Sequence, residues 1–257
     1  ELFFKTLSKK LVKKISNPII LIASKKLLIK QMKSLKFKFV IKELDLKSFD
    51  YSKLNNKKIN IINVDFKHRK VFDKISTKSN NYIKKSCDIA LKLAEKTSAK
   101  VLINGPVSKK SFLNNKYPGM TEFFASKLQV KGDEVMLIYN KNISVSPLTT
   151  HFPLKKIFKK ITTKKIVSNI KTISNFYKKY IKRNVKFAIT GLNPHCESFE
   201  KYSEEDKIIA PAIKILKKAN INISGPFPSD TIFLKNNLKN YDVVVGMYHD
   251  QVLAPMK

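Results

Sequence analysis

Tyr241 to Lys257 reads YDVVVGMYHDQVLAPMK. Three β-branched residues, Val243, Val244 and Val245, form an apolar run that stops at Gly246 and gives way to Tyr248, His249, Asp250 and Gln251. The run reads as a buried strand. A polar cluster directly after such a strand falls where open α/β sheets bind ligands, beyond the carboxyl ends of the strands. Two more histidines end apolar runs in the same way, His151 in LTTH and His195 in GLNPH.

Upstream of this stretch, strand and helix patterns alternate. Buried strands are expected at Ile19–Ala23, Ile59–Val64, Val101–Ile103, Val135–Tyr139, Ile143–Leu148, Val185–Thr190 and Ile221–Ser224, with an alternating one at Phe37–Ile41. Leu2, Phe3, Leu7, Leu11 and Ile15 recur close to the helical period. Ser24 can cap a helix over Lys25–Leu35. Further helices are expected over Ser79–Lys96, from Thr121, over Leu154 to about Lys160, over Lys164–Ile181 and around Glu204–Ala219. This order implies an α/β protein with a mainly parallel sheet. The turn at Pro118-Gly119 is the candidate boundary, giving a first domain over 1–117, a second over 118–250 and a return toward the first domain over 251–257.

The chain of 257 residues is long enough for one large or two medium domains. Its apolar runs fall far short of the ~20 residues a membrane span needs. Lys and Arg total 52 against 19 Asp and Glu, a formal charge of +33. Such an excess suggests a nucleic-acid partner. The lysine pairs, however, recur along the whole chain and form no stripe. The arginines that nucleic-acid readers favour are only Arg69 and Arg183. Compositional drift toward lysine explains the charge better. Two cysteines, Cys87 and Cys196, give no disulfide framework and fit a reducing cytoplasm.

Three constellations carry chemistry. His151, His195 and His249 together form a candidate metal site, because neutral imidazole is a common ligand of divalent ions. Singly, each reads more readily as a structural or surface histidine than as a ligand. His68, in the basic loop KHRK, reads as solvated. Asp250 could orient an imidazole, bind substrate or cap a helix, and Asp230 in GPFPSDTIF has the same alternatives. In NGPVSKKSF, Ser108 and Lys109 stand at a helix start that suits an anion or is an ordinary capped turn. In PGMTEFF, Thr121 can cap a helix or hold an anion. The six glycines assemble into no dinucleotide or nucleotide loop.

In sequence order, NGPVSK, PGMTEFFA, LTTHFPL, GLNPH, SEEDKIIAPAI, GPFPSDTIF and YDVVVGMYHDQVLAPMK resemble the 4-hydroxythreonine-4-phosphate dehydrogenase family of vitamin B6 biosynthesis. The resemblance runs from Asn104 to the end, with a more divergent match before it. It implies a two-domain α/β/α fold akin to isocitrate and isopropylmalate dehydrogenases, and a homodimer with its active site at the domain cleft. It also implies three histidine ligands, here His151, His195 and His249, for a divalent metal shared across that dimer. Thr121 and Lys257 match the family's substrate-binding threonine and lysine.

The implied reaction is an NAD- or NADP-dependent oxidation of a small phosphorylated hydroxy amino acid, with zinc, cobalt, magnesium or manganese lowering the pKa of the substrate hydroxyl. Asp250 is the candidate general base. Met120 stands where the family has a substrate-contacting histidine, and a thioether cannot donate a hydrogen bond. That change keeps open a sister enzyme of a sugar acid such as threonate or erythronate 4-phosphate. The loop Cys196-Glu197-Ser198-Phe199 lacks the family's glycines, and the sequence looks truncated at both ends. A non-catalytic metal- or anion-binding fragment is the third alternative.

Overall fold

The computed structural model describes residues 1–9, 15, 17–96, 101–114, 116–196 and 203–256. Two compact units divide the chain, Glu1–Met120 and Thr121–Lys257. Each is an α/β unit built on a parallel sheet. Among the described residues no helix is long and apolar enough to cross a membrane.

The first unit carries strands β1 (Ile20–Ala23), β2 (Ile41–Glu43) and β3 (Ile59–Asn63) in the order β1-β3-β2, all parallel. Successive residues of β3 face opposite ways, as the two-residue period of a strand demands. Ile59 and Ile61 pack with Phe4 and Leu28, whereas Ile62 packs with Leu44, Leu54 and Leu93. Helices Lys25–Ser34 and Asn80–Lys96 supply Leu28 and Leu93 to these two layers. The Ser24 hydroxyl caps the first by accepting from the N–H of Leu27. The Ser24 N–H in turn donates to the Tyr82 hydroxyl at 3.1 Å, tying the end of β1 to the second helix.

Three expectations shift here. The alternation at Phe37–Ile41 is not a strand: Phe37 and Phe39 stack on Phe4, with centroids 5.2 and 6.1 Å away, and pairing starts only at Ile41. Val101–Ile103 forms no strand, and Val101 and Ile103 stay 77% and 89% exposed. The first helix runs over Leu2–Ser8, and its expected continuation through Leu11 lies outside the described residues.

The second unit holds β4 (Ser144–Pro147), β5 (Phe187–Thr190), β6 (Ile223–Phe227) and β7 (Val243–Gly246), parallel throughout and ordered β4-β7-β5-β6. The run Val243–Val245 is therefore an interior strand between β4 and β5, fully buried. Val243 and Val245 face helices Thr163–Phe176 and Ala210–Lys218 through Ile166, Ile170, Ile173, Ala212 and Leu216. Val244 faces the other way, onto Val145, Ala188, Ile232 and Val252. A strand covered on both faces favours apolar residues at successive positions, which is why β7 does not alternate. Each buried valine contributes about 1.5–3 kcal/mol on burial.

The expected strand Val135–Tyr139 is reduced to one antiparallel bridge, Ile138 to Val145. The Ser146 hydroxyl donates to the Met136 carbonyl at 2.7 Å, so a side chain takes a bond the ladder would have used. Leu154–Lys160 resolves into two short 3-10 turns around buried Ile157. The last strand before β7 starts two residues later than expected, at Ile223.

Candidate metal-binding and active site

The carboxyl ends of β4, β5 and β7 meet at one edge of the second sheet. At the end of β4 the Leu148 N–H donates to the Gly246 carbonyl at 2.7 Å, and the buried Thr149 hydroxyl donates to the Met247 carbonyl at 2.7 Å. These two bonds hold the β4 and β7 ends in register past the last ladder pair. As a result His151 and His249 come together, with ring centroids 6.0 Å apart and planes tilted by 39°.

Each of these imidazoles has a carboxylate at Nδ1. Glu122 Oε1 lies 3.3 Å from His151 Nδ1 and also accepts from the Thr150 hydroxyl at 3.3 Å. Asp250 Oδ1 lies 2.7 Å from His249 Nδ1. A carboxylate at one ring nitrogen orients an imidazole and raises the basicity of the other nitrogen, the usual support for a metal-ligating histidine. Asp250 thus faces an imidazole and caps no helix. Helix His249–Leu253 is entered from Tyr248 without a side-chain cap.

His195 is placed differently. It sits after β5 in a left-handed backbone conformation, φ 56° and ψ 9°, followed by Cys196 at φ 61°. Left-handed backbone is unfavourable for a residue with a Cβ and persists only where its surroundings enforce it. Just before it, Glu205 fixes the start of the turn. Its Oε1 accepts from the N–H groups of Leu192 and Asn193 at 2.7 and 2.9 Å, and its Oε2 accepts from the Asn193 amide at 2.9 Å. Burial acts to raise the Glu205 carboxyl, but the donors from Asn193 and Leu192 outweigh it and hold the group below its ordinary value of 4.5. The His195 side chain is exposed, its Nδ1 3.9 Å from Asp230 Oδ2.

Gln251 joins the two strand ends. Its Oε1 accepts from Thr190 Oγ1 at 2.8 Å and from the Met247 N–H at 2.7 Å, while its Nε2 donates to the Gly191 carbonyl at 2.8 Å. Neither Gln251 nor Glu205 stands out in the sequence as a site residue, nor does Glu122. Their signal is position only: Gln251 follows His249 by two residues, Glu205 lies in the block after GLNPH, and Glu122 follows Thr121 in PGMTEFF.

The donor set fits a divalent cation in part. Two histidines converge with carboxylate support, and Glu122 Oε2 is buried without a hydrogen-bond partner among the described residues, an acceptor that a nearby positive charge would stabilise. His195 does not complete the set. Among the described residues no group of three or more His, Cys, Asp or Glu side chains is gathered closely enough to hold a metal.

Thr121 is exposed in the first turn of helix Met120–Lys127, one residue after its start, so it is not the cap. Lys257 and the stretch Glu197–Phe199 lie outside the described residues. In the first unit the Ser108 hydroxyl accepts from the Ser111 N–H, so NGPVSKKSF contains an ordinary capped turn. His68 is half-buried rather than solvated. Its Nδ1 meets the Phe66 carbonyl at 3.2 Å, and it lines a cavity of about 600 Å³ with Arg69, Lys70 and Asn80.

A family model described as pyridoxal phosphate biosynthetic protein PdxA matches residues 14–257. The chain belongs to the PdxA family. Over 172 residues it is 37% identical to a 4-hydroxythreonine-4-phosphate dehydrogenase of Sulfurihydrogenibium sp., covering 65% of this chain and 52% of that protein. Over 142 residues it is 33% identical to a D-threonate 4-phosphate dehydrogenase of Pectobacterium atrosepticum, covering 55% and 43%. The chain thus spans about half the length of the curated relatives it matches. A crystal structure of a 4-hydroxythreonine-4-phosphate dehydrogenase from Burkholderia phymatum superposes with a TM-score of 0.80 at 25% identity, covering 99% of this chain and 78% of that one. The PdxA family thereby accounts for the α/β fold of both units.

Proposed function

We propose that this PdxA-family chain takes part in the oxidation of 4-phosphohydroxy-threonine at its secondary alcohol, in pyridoxal phosphate biosynthesis in the cytoplasm. The observation that carries this reading is the convergence of His151 and His249 from neighbouring parallel strands, each with a carboxylate at Nδ1. His151 and His249 would hold a divalent ion, and His195 is the third ligand only as the family resemblance implies it. Imidazole ligands favour zinc or cobalt over magnesium or manganese. The ion would polarise the substrate hydroxyl, and NAD or NADP would accept the hydride. The 3-oxo acid so formed loses carbon dioxide to give 3-amino-2-oxopropyl phosphate.

The chain's own groups bind and orient. Glu122 and Asp250 fix the rings of His151 and His249, leaving Nε2 of each to accept a ligand. Asp250, 81% exposed on its side chain, is also the group nearest His249 that can receive a proton. Thr121 and Lys257 would hold the phosphate or carboxylate of a small phosphorylated substrate. A homodimer sharing the metal between subunits is the assembly this reading expects. The test is NADH or NADPH formation from 4-phosphohydroxy-threonine by the purified protein with added divalent metal. No metal-dependent reduction with any phosphorylated hydroxy acid would overturn the reading.

One observation favours a second reading. Met120 replaces a hydrogen-bonding imidazole with a thioether at the start of helix Met120–Lys127, and a D-threonate 4-phosphate dehydrogenase is among the relatives. A sister activity on threonate or erythronate 4-phosphate would show as faster nicotinamide reduction with the sugar acid, measured side by side.

A further inference from the structure

We infer that Glu122 is the positioning residue of His151: its carboxylate holds the ring in the Nδ1–H tautomer and leaves the Nε2 lone pair for a ligand. The inference rests on the metal-binding reading above for its purpose, though not for its test. Glu122 lies in the first turn of helix Met120–Lys127, in the same compact unit as His151.

Three observations point the same way. First, Glu122 Oε1 stands 3.3 Å from His151 Nδ1, and an ionised carboxylate only accepts, so the proton of a neutral ring belongs on Nδ1. Second, the Thr150 hydroxyl donates to that same oxygen at 3.3 Å, which fixes the carboxylate from the residue just before the histidine. Third, Glu122 Oε2 is buried and has no hydrogen-bond partner among the described residues. A buried acceptor without a partner is destabilising and calls for an explanation. Ligation of a cation by His151 would offset part of that cost, because the ring would then present more positive charge to the Glu122 carboxylate through Nδ1–H.

A purely structural role makes a different prediction. If Glu122 only anchored its helix to Thr150, the tautomer of His151 would not depend on it. Two variants separate the cases. Glu122→Gln keeps the shape and a carbonyl oxygen able to accept from Nδ1–H but removes the charge, and Glu122→Ala removes both.

The decisive measurement is the ring nitrogen shifts of His151 in the metal-free full chain, by long-range proton–nitrogen NMR. The wild type and Glu122→Gln are expected to show Nδ1–H, and Glu122→Ala a mixture with Nε2–H. A His151 ring that stays Nδ1–H in a folded Glu122→Ala protein overturns the inference. So does a wild-type ring that is Nε2–H.

Cobalt titration forms the second arm. Affinity is expected to fall roughly 10- to 100-fold in Glu122→Ala, the usual effect of losing an outer-shell partner, and less in Glu122→Gln. Should the wild type bind no cobalt, the metal-binding reading fails while the tautomer measurement still decides the role of Glu122. Should the wild type bind and Glu122→Ala bind equally tightly, the inference fails while the metal-binding reading stands.

Discussion

Gln251 and Gly191 are joined across the sheet end: the Gln251 amide donates to the Gly191 carbonyl at 2.8 Å, from a residue only 7% exposed. The same amide group accepts from Thr190 and Met247, so two of its bonds tie the end of β5 to the helix after β7 and the third ties that helix back to the end of β7. It is the fixed point from which GLNPH and MYHD depart.

Gln251→Leu keeps the volume and leaves the Thr190 hydroxyl, the Met247 N–H and the Gly191 carbonyl without their partner. Buried groups left unsatisfied cost about 1–3 kcal/mol each, with some recovered by water. The expected loss is ~2–4 kcal/mol in chemical denaturation monitored by circular dichroism. A loss below 0.5 kcal/mol would mean the strand ends do not depend on this side chain; that threshold is about the scatter of surface substitutions.

Gly191 explains why GLNPH opens on glycine. A Cβ there would lie 2.6 Å from Cys196 Sγ and 2.9 Å from Glu205 Oε1. Gly191→Ala must push away the carboxylate that holds the Leu192 and Asn193 N–H groups. It is expected to destabilise by about 1–3 kcal/mol, the usual range for overpacking. Glu205→Gln combined with Gly191→Ala should lose less than the sum, because both act on one contact. Additive losses in a double-mutant cycle would count against this account.

The strands were legible where burial alone decides the pattern. Val243–Val245 is buried on both faces and reads directly as an unbroken apolar run, and Ile59–Ile62 is buried with one interruption, Asn60, whose amide donates to the Ile19 and Asn55 carbonyls. Phe37–Phe39 misleads because its alternation comes from rings stacking on Phe4, and a stack presents the same period as a half-buried strand. His151 and His249 were legible because each follows such a run. What holds them was not. Glu122, Glu205 and Gln251 are polar residues in helix-forming segments, and sequence offers no way to tell a buried carboxylate with bonded partners from one on a solvated face.

Glu205 gives the second unit a pH dependence with a definite sign. Its folded pKa lies below the ordinary 4.5 because the Asn193 and Leu192 donors outweigh burial. A depressed pKa contributes stability that is present above 4.5 and is lost as the pH falls through the folded value. Wild-type stability should therefore decline below 4.5. Glu205→Gln should be less stable at neutral pH and show a flatter decline. Denaturation midpoints at several pH values from neutral to acidic check this. Parallel wild-type and variant curves would exclude Glu205 as the source.

His249→Ala tests the converging pair without requiring turnover. His249 and His151 face each other at 6.0 Å, so removing either should take away a shared ligand. Bound zinc or cobalt after dialysis, measured by elemental analysis, is expected to fall to a small fraction of the wild-type content in His249→Ala. Unchanged metal content would show that the ion is held elsewhere.

Met120→His addresses which substrate the site prefers. Met120 opens the helix that carries Thr121, the proposed substrate threonine, and Glu122, the partner of His151. A thioether contributes contact but no N–H donor, whereas imidazole can donate to a substrate hydroxyl or phosphate oxygen. A charge-assisted bond of that kind is worth about 1.5–3 kcal/mol, which at 1.4 kcal/mol per decade is roughly 10- to 100-fold in kcat/KM. If the chain acts on 4-phosphohydroxy-threonine, Met120→His should raise kcat/KM for that substrate, and chiefly by lowering KM if the new bond forms equally in ground and transition states. If the wild-type chain instead prefers threonate 4-phosphate, the variant should shift the ratio of the two substrates toward the amino acid. An unchanged ratio, with the variant folded and metal-loaded, would show that position 120 does not touch the substrate.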